Sequence, residues 1–210
     1  MTPDLSCLRP GDTAIDIGAH LGTWTGRLAE AVGPTGTVLA VEPHPVTAAR
    51  LRVAMADRPQ VQVIEACVGE RMDDQAQFYS DEGDTRRSTL WMANRLKDGP
   101  TYPVRMVTLD SLVTSLPQPP RFIKVDAQGA EAAILRGAVQ TLTLPVRWFV
   151  EVWQTGLGHA GATVQDVLEP FRRAGYTPQV TKGVTPWDRV RVYAEQQGGH
   201  SAIDVLMVPA

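Results

Sequence analysis

Short apolar runs alternate with stretches of helical spacing along most of the chain. Asp12–Gly18 is an apolar run of strand length, and Thr23–Val32 carries helical periodicity up to a Gly33-Pro34 stop. Thr37–Glu42 predicts a second strand, Val46–Ala56 a second helix, and Gln60–Val68 a third strand. The rhythm then changes. Gln75–Ser80 and Val104–Leu109 predict an inserted strand pair around a polar, glycine-containing loop, and a short helix at Leu109–Leu116 ends at the Pro117–Pro120 cluster. Arg121–Val125 is a fourth buried strand, Gly129–Ala138 a helix and Arg147–Val152 a fifth strand. Val164–Ala174 follows as a helix, then strands at Tyr176–Thr181 and Ala202–Val208.

Repeated strand–helix units predict an α/β fold, doubly wound, with a mostly parallel seven-stranded sheet and a small β insertion. The last two strands are joined by a polar, glycine-rich segment from Lys182 to His200, taken here as a loop with no crossover helix. A direct return makes the last strand antiparallel. No internal repeat or linker interrupts residues 1–210, so one domain is expected.

Composition narrows the function classes. The 210 residues are 43 % hydrophobic and 20 % charged, the balance of an ordinary globular chain. A net charge of −3 gives no basic footprint for nucleic acid. No apolar window is long enough for a membrane span. Asp4 and two early prolines replace the apolar core of a signal peptide. Cys7 and Cys67 lack the spacing of a zinc site or a disulfide framework, which points to a reduced, cytoplasmic setting. Oligomeric state is left open by these features, a homodimer included.

In open parallel sheets ligands sit beyond the carboxyl ends of the strands. Those ends carry Asp16-Ile17-Gly18, Glu42, Ala66-Cys67, Asp126 and Glu151. Gly18 and Gly22 suit a backbone that a ligand approaches closely, ahead of a helix N-terminus that favours an anion. Glu42, at the end of the second strand, suits the two hydroxyls of a ribose. The spacing G-x-x-x-G departs from the dinucleotide fingerprint G-x-G-x-x-G. Asp16 would repel a pyrophosphate and suits an ammonium group instead. S-adenosylmethionine carries an ammonium, a carboxylate and a ribose. Cofactor contacts are therefore expected from Asp16, Gly18, His20, Gly22, Thr23 and Trp24, from Glu42 and Pro43, from Ala66 and Cys67, and from Asp126. A nicotinamide-dependent oxidoreductase and a silent nucleoside-binding module are the competing readings.

Several segments then resemble one family: "DIGAHLGTWT", "AVEPHP", "QFYSDEGDTRRSTL", "VRMVTLDSL" and above all "FIKVDAQGAEAAILRGA". From about Thr13 to Val152 the chain is similar to the FkbM family of S-adenosylmethionine-dependent methyltransferases. The resemblance implies a Rossmann-like sheet, S-adenosylmethionine as cofactor, and methyl transfer, usually to oxygen, on natural products, sugars or related small molecules. N-methylation is the nearest alternative. His20 stands where the family usually has Asn, and Gln128 where it usually has Glu. The segment before the first strand is short, so the lid over the acceptor is expected to be reduced or supplied otherwise.

Methyl transfer to a hydroxyl gains from a base within hydrogen-bond reach. Asp126 is the first candidate, followed by Glu131, one turn into the next helix, Glu151 and the loop residue His159. Lys124 is expected either to pair with a carboxylate or to extend its ammonium to the rim. Asp126 and Glu151 also offer an oxygen pair for Mg²⁺, an option not favoured because few ligands accompany them. Trp24, Trp91 and Trp153 are candidates to pack the adenine or wall the acceptor pocket, whereas Trp148 belongs to the core. The polar segments Ser80–Pro103 and Lys182–Ser201 are expected to line the acceptor site.

Overall fold

The computed structural model describes residues 4–80, 100–180, 183–197 and 201–210. Its main sheet has seven strands: β1 (Thr13–Ile17), β2 (Thr37–Val41), β3 (Val61–Ile64), β7 (Phe122–Val125), β8 (Arg147–Val152), β9 (Thr177–Gln179) and β10 (Ile203–Val208). Their order is β3-β2-β1-β7-β8-β10-β9. The chain starts in the middle, winds outward to β3, and returns to lay β7 against the other side of β1. β10 inserts antiparallel between β8 and β9, and the other pairings observed in this sheet are parallel.

Alternation along the strands sends side chains to two helical layers. Ile15, Ile123, Val125, Trp148, Val150 and Met207 join one cluster, which takes in α4 (Glu131–Arg136), α6 (Val164–Arg173) and α7 (Trp187–Gln196). Ala14, Phe122, Phe149 and Leu206 meet Leu28, Ala29 and Val32 of α1 (Thr23–Val32) on the other face. Leu51 of α2 (Pro45–Ala54) packs on Ala19 and Ala40 beside them. β1 and β7 are buried throughout, as the sheet centre requires.

A second sheet, in the order β4-β6-β5, holds β4 (Cys67–Val68), β5 (Asp73–Tyr79) and β6 (Thr101–Val107). The inserted strand pair is thus present and antiparallel. The run Gln60–Val68, expected as one strand, is divided. Its first part pairs with β2, and Cys67–Val68 turns away to pair with β6. α3 (Leu109–Thr114) follows β6, with Thr108 accepting from the Ser111 amide as its cap.

The expected loop from Lys182 to His200 is corrected: it contains α7, which buries Val190 and Ala194 against the core. The short helix α5 (Gln154–His159) also stands in what was expected as loop. Among the described residues no helix is long and apolar enough to cross a membrane.

Candidate active site

The strand order reverses between β1 and β7, and there the sheet carries a cavity of about 330 Å³. It spans the carboxyl ends of five adjacent strands. Ala66 and Cys67 wall it beyond β3, Glu42 and Pro43 beyond β2, Gly18, Ala19 and His20 beyond β1, Asp126 and Gln128 beyond β7, and Glu151 on β8. Thr23 and Trp24 reach it from the start of α1, and Val68 and Phe78 from the second sheet.

Glu42 is nearly buried, and its carboxylate is fixed by backbone amides. His20 N–H donates to Oε2 at 2.8 Å, and His44 N–H donates to Oε1 at 3.0 Å. Burial pushes its pKa up to about 7 against the lowering effect of those two amides. Each carboxylate oxygen has two acceptor directions, so accepting one amide leaves each oxygen a further one. His44 also caps α2: its Nδ1 accepts from the Thr47 amide, which assigns the ring proton to Nε2, 2.9 Å from Ser80 Oγ.

At the β7 end, Lys124 is buried and ties three segments together. Its ammonium donates to the Gly18 carbonyl at 3.1 Å and lies 3.2 Å from Asp126 Oδ2 and 3.5 Å from Asp16 Oδ1. Burial works to discharge it, and the charges of Asp16 and Asp126 outweigh that and hold its pKa above the usual lysine value. Asp126, with a side chain 36 % exposed, shows the converse. Its burial is offset by Lys124 and by a hydrogen bond from Gln128, so its pKa lies below the usual carboxylate value. Glu151 differs: burial and then the charges of Asp126 and Glu131 push it up to about 9. Gln128 Nε2 bridges the pair, 3.0 Å from Asp126 Oδ1 and 3.0 Å from Glu151 Oε2.

A model of the FkbM methyltransferase domain matches residues 16–178 of this sequence. The chain belongs to the FkbM methyltransferase family. No curated protein matches it. Among solved structures it is similar to an FkbM methyltransferase from Methylobacillus flagellatus KT, with 15 % identity and a TM-score of 0.57 over 94 % of this chain and 43 % of the other. This chain therefore spans less than half the length of that relative. Fibrillarin from Aeropyrum pernix, solved with natively bound S-adenosyl-L-methionine, is 14 % identical, with a TM-score of 0.53 over 95 % of this chain and 67 % of that one. An S-adenosylmethionine-dependent O-methyltransferase from Thermotoga maritima is 13 % identical, with a TM-score of 0.53 over 97 % of this chain and 61 % of that one. At these identities the likeness establishes the Rossmann-like methyltransferase fold.

Within this FkbM domain most of the residues expected at the site converge, and the exceptions have physical reasons. Asp16 does not line the cavity: it is fully buried, with Oδ2 accepting the Thr25 hydroxyl at 2.7 Å and Oδ1 facing Lys124. Its charge serves the protein's own cation. Gly18 borders the cavity, yet its missing side chain is explained from within, because a Cβ there would stand 1.9 Å from the Asp126 carbonyl oxygen. At Gly22 a Cβ would meet Leu51 and Met55 of the neighbouring helix region. Glu131 is fully buried and accepts the amides of Ala127 at 2.9 Å and Gly129 at 3.0 Å, so it shapes the loop behind Asp126. His159 is exposed at the end of α5 and lines neither this cavity nor its neighbour. Trp24 lines the cavity and carries Arg27 4.2 Å over its ring. Trp153 is buried against Gly156, and Trp148 lies in the core with its Nε1 donating to Tyr176. Trp91 lies outside the described residues, as does most of Ser80–Pro103, whereas residues 183–197 of the second expected acceptor-lining segment are described and line neither this cavity nor its neighbour. Gln128 stands out in the sequence only as a departure. The signal for its role is its place two residues beyond Asp126 at a strand end. Among the described residues no three His, Cys, Asp or Glu side chains are grouped to hold a metal ion.

Proposed function

We propose that this chain transfers a methyl group from S-adenosylmethionine to a hydroxyl of a small-molecule acceptor of the natural-product or sugar type. The observation that carries the reading is the single cavity joining Glu42 to Asp126 across the strand ends. Strands lie about 4.8 Å apart, so such a cavity suits an elongated nucleoside with a charged tail. Its apolar wall of Ala66, Val68 and Phe78 suits a purine, and Glu42 offers acceptor directions for ribose hydroxyls. The carboxyl groups at the β7 and β8 ends suit the cationic portion. The first turn of α1, whose cap Gly22 makes no side-chain hydrogen bond, offers amides for a carboxylate.

When bound, S-adenosylmethionine supplies an activated methyl group on a positively charged sulfur. The protein's part is to orient the acceptor and receive its proton. Asp126 is suited to receive it, being ionised, partly exposed to the cavity and held by Lys124 and Gln128. Positioning supplies much of the remaining acceleration.

Calorimetry is the first test. S-adenosylmethionine or its demethylated product is expected to bind, and NAD is not; NAD binding alone would overturn the reading. In a methyl-transfer assay over a panel of hydroxylated acceptors, Asp126→Asn should lower turnover by about 10²–10⁴-fold with little change in cofactor affinity. Activity should persist in EDTA. Loss in EDTA with recovery on adding Mg²⁺, and a Glu151→Gln variant as damaged as Asp126→Asn, would instead make the two carboxylates a metal site.

A further inference from the structure

Gln128 adopts φ 51, in the left-handed region that non-glycine residues seldom occupy. The loop that holds it there is fixed from behind by Glu131, which binds the amides on either side of it. The turn directs the Gln128 amide between two carboxyl groups. Its nitrogen carries only donors, so Asp126 Oδ1 and Glu151 Oε2 both accept from it. A reversed amide would set its oxygen against two carboxyl oxygens.

The surroundings of the two acids are unequal. Asp126 has the Lys124 ammonium on its other oxygen. Glu151 faces Asp126, Glu131 from α4 and its register partner Asp204 from β10, all acidic, and the Lys124 ammonium, which is given first to Asp126 and Asp16. Asp16 on β1 is spent on Lys124, and Arg27 of α1 borders the neighbouring cavity that Asp126, Glu151 and Asp204 also line. The two carboxyl groups are close neighbours, each with an oxygen 3.0 Å from Gln128 Nε2. Like charges this close cannot both ionise cheaply, so the pair holds one proton.

We propose that Gln128 is a positioning residue: its amide orders the pair so that Asp126 remains the proton acceptor while Glu151 keeps the proton. Only the use of this pair rests on the methyl-transfer reading above. In that use the acceptor's O–H proton passes to Asp126 as the new O–CH₃ bond forms, and the electron pair of the broken S–CH₃ bond stays on sulfur. Glu151 remains neutral throughout, and no external oxidant or reductant is involved. A donor at position 128 is what separates the two roles, because an acid there would add a third claimant for the proton.

The test is a carboxyl titration of the full chain by NMR, with ¹³C-labelled Asp and Glu side chains and assignments from Asp126→Asn and Glu151→Gln. At pH 7 the wild type is expected to show Asp126 ionised and Glu151 protonated. In Gln128→Leu the Asp126 transition should move to higher pH, and in Gln128→Glu further still. A purely structural role would leave the Gln128→Leu transition in place. An ionised Glu151 at pH 7 in the wild type, or an Asp126 transition unmoved when the donor is removed, overturns the proposal. Gln128→Met, similar in length, uncharged and lacking the donor, decides the matter if Gln128→Leu does not fold. The titration needs neither cofactor nor acceptor, so its failure is distinct from failure of the methyl-transfer reading, which calorimetry decides.

Discussion

At Gly18 the chain has no room for a methyl group. A Cβ would enter the Asp126 carbonyl oxygen at 1.9 Å, on a backbone with φ 75. Gly18→Ala combines left-handed strain of about 1–3 kcal/mol with a steric penalty of about 1–3 kcal/mol. Urea denaturation should therefore show a loss of about 2–6 kcal/mol. Gly22→Ala meets the flexible ends of Leu51 and Met55 and should cost less. That side chains are excluded at both glycines was legible in the sequence. What excludes them was not, because nothing in a linear pattern places Phe122–Val125 beside Thr13–Ile17. Asp16 misled for a related reason: its partner Lys124 is 108 positions away in sequence, and adjacent only through the β1–β7 register. Glu42 was legible by its place at a strand end. If its carboxylate accepts ribose hydroxyls, Glu42→Ala should weaken cofactor binding by about 1.5–3 kcal/mol, roughly 10- to 150-fold. The ionised form is the better acceptor, and burial holds this group near 7. Calorimetry should therefore show affinity weakening as pH falls through about 7 in the wild type, with Glu42→Gln removing the dependence.

The helix α4 is only six residues long, and its first residue does more than start it. Glu131 satisfies the amides of Ala127 and Gly129 from a fully buried site. Above about pH 7, where Glu131 is ionised, Glu131→Gln would turn an amide N–H toward one of those donors, leaving a buried group unsatisfied at about 1–3 kcal/mol. Equilibrium unfolding would measure that loss, and the Asp126 carboxyl resonance would report the displaced loop. At this scale the strongly periodic segments were readable in the sequence, as in α1 with its buried Leu28, Ala29 and Val32. α7 was hidden because only Val190 and Ala194 among its ten residues are buried, between polar side chains and near glycine-rich flanks. The split of Gln60–Val68 was hidden as well. Both halves are apolar, and only the presence of β6 draws Cys67–Val68 into another sheet.

Taken over the whole molecule, burial has raised the pKa of three glutamates, Glu42 and Glu131 to about 7 and Glu151 to about 9, from an ordinary 4.5. Their protonated forms suit the fold better than their charged forms. The stability they contribute is complete below about 4.5 and is lost as pH rises through their folded values. Asp126 runs the other way, but its contribution is lost only as pH falls below the ordinary carboxylate range. The ligand-free chain should thus melt at progressively lower temperature between about pH 5 and about pH 9, as scanning calorimetry would record. An unchanged midpoint over that window would mean that water reaches these glutamates more freely than the packing indicates.

The place of β10 in the sheet has a consequence for how the polypeptide is made. Among the described strands β9 pairs with β10 and with no other, and β10 also closes the outer edge of β8. Translation delivers β8 and β9 first. Until Ile203–Val208 emerges, a nascent chain on the ribosome carries an open β8 edge beside a strand that has no neighbour. Open edges are templates for pairing with other chains, and domains fold as units once their last element is available. The side of the sheet holding β8 and β9 completes its pairing only when Ile203–Val208 is available, and that is the side whose open edge chaperones would need to shield.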